Sequence, residues 1–292
     1  PWAFAARPLL NWASIFLLIL GGATATREYF VRWANLPNLY SAFEAGLWQS
    51  GQQIVQLPPG MPIYLTPRGL DRSTVAFALQ TKLYPEPAMF NGQYLFPFTA
   101  TTSPNAETYV VLTQEDKRTA QWLAEFLPKT TLAQKIRDPQ GKLYAQFYTR
   151  PPNTTPLHPP QYPVSATALD GLLLLGYDLA SVAFHSGETL DLRLHWLVQA
   201  QPTNDWKVFT HLLRKVADKT TLVAGQDSQR GRSSLHSQHW RVGWRVVDEH
   251  KIKLPADLQP SVYELAVGLY QTKNNQLLFM SPALFHVTMK IA

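Results

Sequence analysis

The residues of this chain that are best suited to bind a ligand are tryptophans in predicted loops. Trp206 follows an asparagine and an aspartate, while Trp240 and Trp244 flank a turn at Gly243. An aromatic face beside polar groups suits a sugar, because the C–H face of a pyranose stacks on the ring and the polar groups bind its hydroxyls. Loop tryptophans can equally plug the edge of a β-sandwich, and the sequence leaves both interpretations open.

Charged residues near these rings extend the candidate site. Asp227, Arg230 and Arg232 fall in a segment between predicted strands, where guanidinium groups could bind a sugar hydroxyl or a lipid phosphate. Loops at one end of a sandwich are a common place for binding residues. We therefore predict a ligand-binding site formed by Trp206, Asp227, Arg230, Arg232 and Trp244.

The remaining polar clusters do not predict catalysis or a metal site. Helix capping explains Glu115-Asp116, and Asp248-Glu249 lies in a predicted strand, where neighbouring side chains point to opposite faces. His236 and His239 are three residues apart but lack a third ligand nearby. The sequence also lacks the glycine-rich phosphate loops and the G-x-S-x-G motif of hydrolases. We expect no catalytic residue, no metal and no cofactor in these residues.

The composition excludes several classes of protein. The net charge is +6, but Lys and Arg are not clustered, which argues against a nucleic-acid partner. The chain has no cysteine, so disulfides, thiol catalysis and cysteine-based zinc sites are excluded. Hydrophobic residues make up 46% of the chain, enough for a real core, and the 23 prolines favour a β-rich, loop-rich structure.

An uncharged apolar run, residues 9–25, precedes a sequence of water-soluble character. A helix of this length reaches about 25 Å, slightly less than a bilayer core, so Arg7 and Arg27 would extend to the two interfaces. A cleaved secretory signal ending near Ala25 and a buried helix are the alternatives. Because the chain starts at Pro1 and not at Met, we expect the run to be the last membrane helix of a longer chain. The expected membrane-interface residues are Arg27, Tyr29, Phe30, Arg32 and Trp33.

The soluble part is predicted to contain two domains. Strand patterns alternate with helical patterns through residues 28–150, including a helix over residues 113–127 with Thr113 as its N-cap. Six prolines in residues 151–164 indicate a semi-rigid linker. Residues 165–292 show several strand patterns separated by turn residues, which is typical of an antiparallel β-sandwich.

Alternation within one of these strands predicts which side chains are buried. Leucines at every second position end at Trp196, and polar residues lie between them. This pattern places Trp196 in the core and His195 on the outer face. We therefore expect an α+β multi-domain fold with a transmembrane helix, an extracytoplasmic α/β domain, a linker and a β-sandwich, with separable soluble domains. The predicted boundaries are 1–27, 28–150, 151–164 and 165–292.

Motifs distributed along nearly the whole chain resemble a known family of membrane enzymes. The exit from the apolar helix, the strands of the α/β part and the sandwich strands all contribute. The matching segments are Arg27–Trp33, Ile63–Pro67, Tyr109–Thr113, Asp170–Tyr177, Gly187–Leu190, Leu194–Trp196, Val208–Leu212, Gln226-Asp227, Trp240, Val247–Glu249 and Val267–Tyr270. They resemble the bacterial polytopic glycosyltransferases that use polyprenyl-phosphate sugars and are related to protein O-mannosyltransferases and the lipid A aminoarabinose transferase. The version in filamentous green bacteria often carries an extracytoplasmic tail of this kind.

The resemblance implies a role without supplying a catalytic residue. In that family the catalytic carboxylates lie in the first extracytoplasmic loop, which has no counterpart in residues 1–292, and Trp244 stands where an acidic residue would be expected. The implied role is acceptor binding or structural support, with a membrane lipid, a polyprenyl-phosphate sugar and a glycan acceptor as partners of the full enzyme. The alternative is a non-catalytic membrane-anchored subunit whose sandwich binds a glycan or a protein.

Overall fold

The computed structural model describes most of the chain as helices and three sheets. The described residues are 2–34, 36–67, 73–79, 87–217, 219–227, 235–273, 276–281 and 283–291. The described residues are mostly β-strand, arranged in several sheets with helices beside them, which confirms the expected α+β class. The helices are α1 (Trp2–Thr26), a π-helical segment (Arg27–Trp33), α2 (Pro37–Ala42), α3 (Ala45–Val55), α4 (Ser73–Leu79), α5 (Thr119–Phe126) and a 3₁₀ turn (Ser237–His239).

Sixteen strands are defined within the described ranges. They are β1 (Ile63–Thr66), β2 (Ala88–Met89), β3 (Leu95–Thr99), β4 (Glu107–Leu112), β5 (Thr131–Arg137), β6 (Leu143–Arg150), β7 (Tyr162–Thr167), β8 (Leu172–Leu179), β9 (Ala183–Phe184), β10 (Thr189–Val198), β11 (Lys207–Val216), β12 (Lys219–Asp227), β13 (Trp244–Lys253), β14 (Ser261–Lys273), β15 (Gln276–Met280) and β16 (Phe285–Ile291). The apolar run is helical in α1. Within the described ranges, no helix is both long and apolar enough to cross a membrane.

The α/β unit is built on a five-stranded sheet with the strand order β2-β1-β4-β6-β5. β1 is parallel to β2 and to β4, whereas β6 is antiparallel to β4 and β5, so the pairing is partly parallel, as expected. α3 buries its apolar face on this sheet, with Leu47 and Ile54 in the same core as the strands. α4 contacts α3 at Gly51, where an added Cβ would lie 2.5 Å from the Cβ of Ala78.

The sandwich consists of two sheets that share one hydrophobic core. The first sheet has the order β3-β13-β10-β8-β7 and the second β12-β11-β14-β16-β9, with β15 paired to β14 beyond the end of β16. All of these strand pairs are antiparallel except the short pair β9–β16. Trp196 is fully buried in this core, as its alternation predicted.

One strand crosses the predicted domain boundary. β3 comes from the α/β part of the chain, yet it pairs with β13 and forms an edge of the first sandwich sheet. Rings of both units belong to one hydrophobic cluster, which contains Tyr109 and Trp122 together with Trp196. The proline-rich segment is also attached: Arg150 donates to the hydroxyl of Thr154 at 3.1 Å. The expectation of two separable domains is therefore revised to two units with a shared core.

The helix predicted over residues 113–127 is shorter than expected. The hydroxyl of Thr113 donates to the carbonyl of Leu143 at 3.1 Å instead of capping a helix. Asp116 takes over the capping role, because its carboxylate accepts the backbone N–H groups of Arg118 at 2.8 Å and Thr119 at 2.9 Å. α5 consequently begins six residues later, at Thr119.

Candidate functional site

Three chain connections with described residues lie at one end of the sandwich, which we call the loop end. The strand register brings the starts of β8 and β13 to the end of β10, and it brings the start of β11 to the end of β12 and to the far half of β14. The pairs that define it are Leu172 with Val198, Arg245 with Leu197, Phe209 with Asp227, and Lys207 with Tyr270. Described residues at this end are 168–171, 199–206 and 235–243.

Asp170 organises the loop end. Its backbone adopts a left-handed conformation, with φ of 57°, beside Gly171 in the connection from β7 to β8. Its carboxylate accepts the backbone N–H groups of Thr203 at 2.8 Å and Asn204 at 2.9 Å. The Thr203 hydroxyl donates at 3.0 Å and the indole N–H of Trp206 at 2.9 Å. One carboxylate therefore fixes the connection from β10 to β11.

These donors also set the charge state of Asp170. Partial burial alone would raise its pKa, but the hydrogen bonds from Trp206, Asn204 and Thr203 outweigh that effect and hold the pKa below its ordinary value. The carboxylate therefore stays ionised in mildly acidic solution. An ionised acceptor strengthens each of these hydrogen bonds.

Trp206 is half-buried and held at both its backbone and its ring. Its backbone N–H donates to the Ser237 hydroxyl at 2.6 Å, and its ring meets the edge of Phe279, with centroids 5.8 Å apart. Because Asp170 also fixes the indole N–H, the ring has little freedom. A fixed aromatic surface loses little conformational entropy when a ligand binds.

Polar groups lie on the same connection as this ring. Asp205 is 2.7 Å from Nδ1 of His236, and both side chains are partly exposed. The side-chain oxygen of Asn204 accepts a hydrogen bond from Gln271 at 3.1 Å. The arrangement combines a rigid aromatic ring with carboxylate, imidazole and amide groups, which are the groups that bind sugar hydroxyls.

The structure brings only some of the predicted site residues together at the loop end. Trp206 and the backbone of Asp227 lie at the loop end, where Asp227 pairs with Phe209. Arg230 and Arg232 lie outside the described residues. Trp244 begins β13 at the same end but is only 4% exposed, with its ring 5.4 Å from that of Tyr64 and the guanidinium of Arg241 5.3 Å from it. A ring so enclosed cannot stack on a sugar, so we remove Trp244 from the proposed contacts.

His195 is buried, contrary to the expectation that it lies on an outer face. Alternation places it opposite Trp196, as predicted, but α5 and the proline-rich segment cover that face of the sheet. The ring of Phe126 lies 6.0 Å from the His195 ring and 5.2 Å from that of His158. The sequence pattern gives the face on which a side chain lies but not what covers it.

His195 forms a hydrogen-bonded chain with Asp178 and Arg245. Its Nε2 is 2.8 Å from the Asp178 carboxylate, and its Nδ1 is 2.6 Å from the Arg245 guanidinium. A guanidinium only donates, so Nδ1 accepts and the proton of a neutral imidazole is on Nε2, directed at Asp178. Burial, with the positive charge of Arg245, lowers the His195 pKa despite the neighbouring Asp178. Since His195 is fully buried, we assign the hydrogen-bonded series Asp178, His195 and Arg245 a structural role.

Further ion pairs join the two units beside His195. Arg193 donates to Glu125 at 2.8 Å, and Arg118 donates to Glu249. The two guanidinium groups lie over the ring of Trp122, at 4.6 Å for Arg118 and 4.8 Å for Arg193. Glu249 of the Asp248-Glu249 pair therefore lies between the α/β unit and the sandwich, where it binds Arg118.

A shallow cleft of about 340 Å³ opens beside Arg118 at the carboxyl ends of the parallel strands. Its lining residues are Gln93, Glu115, Lys117, Arg118 and Gln121. Ligands of open α/β sheets often bind at such an edge. Here Glu249 already pairs with Arg118, and the lining has no aromatic ring, so the cleft is less suited to a sugar than the loop end. Among the described residues, no group of three or more His, Cys, Asp or Glu side chains is placed to hold a metal ion.

The predicted membrane-interface residues lie in the π-helical segment after α1. Tyr29, Phe30 and Trp33 are 56%, 66% and 40% exposed. Arg32 pairs with Glu28 at 3.2 Å, and Arg27 begins the segment. The segment therefore exposes aromatic rings next to charged groups.

Comparisons with known proteins leave the family open. No family model and no curated protein matches the chain. Among solved structures, the chain is similar to the crystal structure of the C-terminal domain of Wzt, with a TM-score of 0.32 and 18% identity over 46% of this chain and 81% of that chain. A similarity at this TM-score carries no argument about function.

Proposed function

We propose that this chain is a membrane-anchored, non-catalytic region that binds a glycan at the loop end of its sandwich. The single observation that carries the proposal is the ring of Trp206, fixed by Asp170 through the indole N–H at 2.9 Å and half-exposed among polar side chains. A preorganised aromatic surface with hydroxyl-binding neighbours fits a saccharide better than an apolar ligand.

The proposed anchor is α1. Ile15, Phe16, Leu17 and Leu18 are four consecutive residues that are 45%, 64%, 65% and 76% exposed. Because successive side chains turn by about 100° around a helix, these four cover all of its sides. A helical stretch that is apolar on every side and exposed is best solvated by lipid. This exposure is the ground for proposing an anchor, although no helix within the described residues meets the length and hydropathy of a membrane span. We further propose that residues 28–292 lie on the extracytoplasmic side.

The resemblance to polyprenyl-phosphate-dependent glycosyltransferases supplies a context for this binding. In the proposed enzyme, a carboxylate outside residues 1–292 would activate the acceptor hydroxyl and the lipid phosphate would leave. The loop end would hold the glycan acceptor near that reaction. We therefore expect the chain by itself to transfer no sugar.

Glycan-array screening followed by titration tests the proposed binding. The full chain in detergent should bind at least one bacterial surface oligosaccharide, and Trp206→Ala should weaken binding about tenfold, the loss of one good contact. Trp206→Phe, which keeps a ring but loses the N–H group, should fall between the two.

Phe77→Ala is the matched control, because it removes another exposed aromatic ring, 64% exposed, from the α/β unit. Equal glycan affinity of the wild type, Trp206→Ala and Phe77→Ala would show that the glycan does not bind at Trp206. Measurable sugar transfer by the purified chain would contradict the non-catalytic assignment.

The second candidate is a protein-binding anchored subunit, and β15 favours it. All five residues Gln276–Met280 are exposed, including Leu277 and Leu278 at 57% and 56%. An exposed apolar edge strand is a template for pairing with another chain. Sequence upstream of Pro1 separates the candidates, since further apolar segments and an acidic pair in a first loop favour the glycosyltransferase.

A further inference from the structure

A band of exposed aromatic rings continues from the π-helical segment to Phe43 at the end of α2. Tyr29 stacks on Trp33 with ring centroids 5.0 Å apart, and Trp33 meets the edge of Phe43 at 6.1 Å. Phe43, which follows α2, is 65% exposed. Exposed rings packed on one another at a helix exit are typical of a surface that contacts something other than the chain's own core.

A second pair of exposed rings lies on the α/β unit itself. Trp48 of α3 and Phe77 of α4 are 6.0 Å apart and are 40% and 64% exposed. Trp48 lies on the outer face of α3, since Leu47 and Ile54 of the same helix are buried against the sheet at 2% and 0% exposure. The close contact of Gly51 with Ala78 sets the spacing of the two helices.

The segment that carries Tyr29, Trp33, Phe43 and Trp48 is poor in charge. Between residues 29 and 57 the charged residues are Arg32 and Glu44. Glu44 accepts a hydrogen bond from the Thr74 hydroxyl, which directs this carboxylate to α4. An aromatic surface with few charges is typical of the interfacial zone of a bilayer, where amphipathic rings lie at the headgroup level.

We propose that the exposed rings of Phe43, Trp48 and Phe77 together form an aromatic surface that rests on the lipid bilayer and holds the α/β unit against the membrane. The proposal rests on the proposed anchoring by α1. Its occupant is lipid and not a protein, because the band continues directly from the helix that we assign to the membrane, through Trp33 and Phe43. A surface bound beside an anchor is already at high local concentration of its ligand, so modest apolar contact suffices.

Site-specific quenching tests this surface in the full chain. The chain has no cysteine, so Trp48→Cys and Phe77→Cys can each carry one environment-sensitive fluorophore after reconstitution into phosphatidylcholine vesicles with brominated acyl chains. Leu18→Cys in α1 reports the anchor, and Thr288→Cys on an exposed position of β16 is the matched soluble control.

The two proposals have different outcomes in this experiment. Loss of emission at positions 18, 48 and 77, with none at 288, is the expected result. Quenching at 18 without quenching at 48 and 77 would overturn the aromatic surface and leave the anchor standing. Absence of quenching at all four positions would overturn both.

Discussion

Asp170 is the residue on which the geometry of the loop end depends. It accepts two backbone N–H groups, a hydroxyl and an indole N–H, and all of these donors belong to the connection before β11. A carboxylate with several donors stabilises its loop more than a single neutral hydrogen bond would. The donors are more than thirty positions away from Asp170 in the sequence, so the sequence could not indicate this role.

Removal of the Asp170 carboxylate should destabilise the loop end and weaken glycan binding together. We expect Asp170→Ala to lower the free energy of unfolding by about 1–2 kcal/mol, a value reduced for the partial exposure of the group. Denaturant unfolding measures the change, and Asp191→Ala on the exposed face of β10 is the control. Because the folded pKa is lowered, this stabilisation is present above the ordinary aspartate pKa of 3.8 and is lost as the pH falls through the folded value. Unchanged stability in Asp170→Ala would contradict the assignment.

His195 predicts a separate dependence of stability on pH. Its pKa in the folded chain is below the ordinary value of 6.5, so the unfolded chain binds the proton more readily. The free energy of unfolding should therefore decrease as the pH falls from 6.5 towards the lowered folded value. His195→Gln can retain both hydrogen bonds without titrating, and its stability should fall less steeply over this window. His286→Gln, an exposed histidine on β16, should behave like the wild type. If the free energy of unfolding falls with pH equally steeply in the wild type and in His195→Gln, the assignment of this pH dependence to His195 is wrong.

At the scale of elements, both edges of the first sandwich sheet carry a proline. Pro97 lies in β3 and Pro163 in β7, the two outer strands of that sheet. A proline cannot donate to a strand ladder, so it is tolerated at an edge and discourages pairing with another chain. Only β15 exposes a continuous apolar strand among the described residues of the second sheet.

The sequence patterns predict strand positions well and strand partners poorly. Alternation located β10 and the direction of Trp196, because alternation is a local property of one strand. It did not locate β3 in the sandwich, since the pairing of Val247 with Phe96 joins residues about 150 positions apart. For the same reason, the burial of His195 under α5 was missed, although its face on the strand was predicted correctly.

A change in β3 should affect both units at once. Phe96 is completely buried, at 0% exposure. Its ring packs on Tyr109 of the α/β sheet and on Trp122 of α5. Phe96→Ala should lower the free energy of unfolding by about 3–5 kcal/mol. When unfolding is monitored by amide hydrogen exchange, the free energies of opening of β4 and of β10 should fall together in Phe96→Ala. Phe77→Ala should change neither of them. Two independent transitions, with only one displaced, would restore the separable domains.

At the scale of the whole molecule, the α/β unit and the sandwich share one core, the proposed anchor precedes them, and the proposed binding residues lie at the loop end. The sequence predicted that loops of the sandwich would carry the site and named Trp206. It also named Trp244, whose burial against Tyr64 depends on packing between units and has no local sequence signal. The position of a ligand on this body is therefore the central claim.

Amide hydrogen exchange of the full chain, with and without the tightest-binding glycan from the array, tests that claim most directly. The account predicts slower exchange on glycan addition at 168–171, 199–206 and 235–243, and unchanged exchange around the cleft at Lys117 and Gln121. Protection confined to the cleft, or protection that persists unchanged in Trp206→Ala, would contradict it.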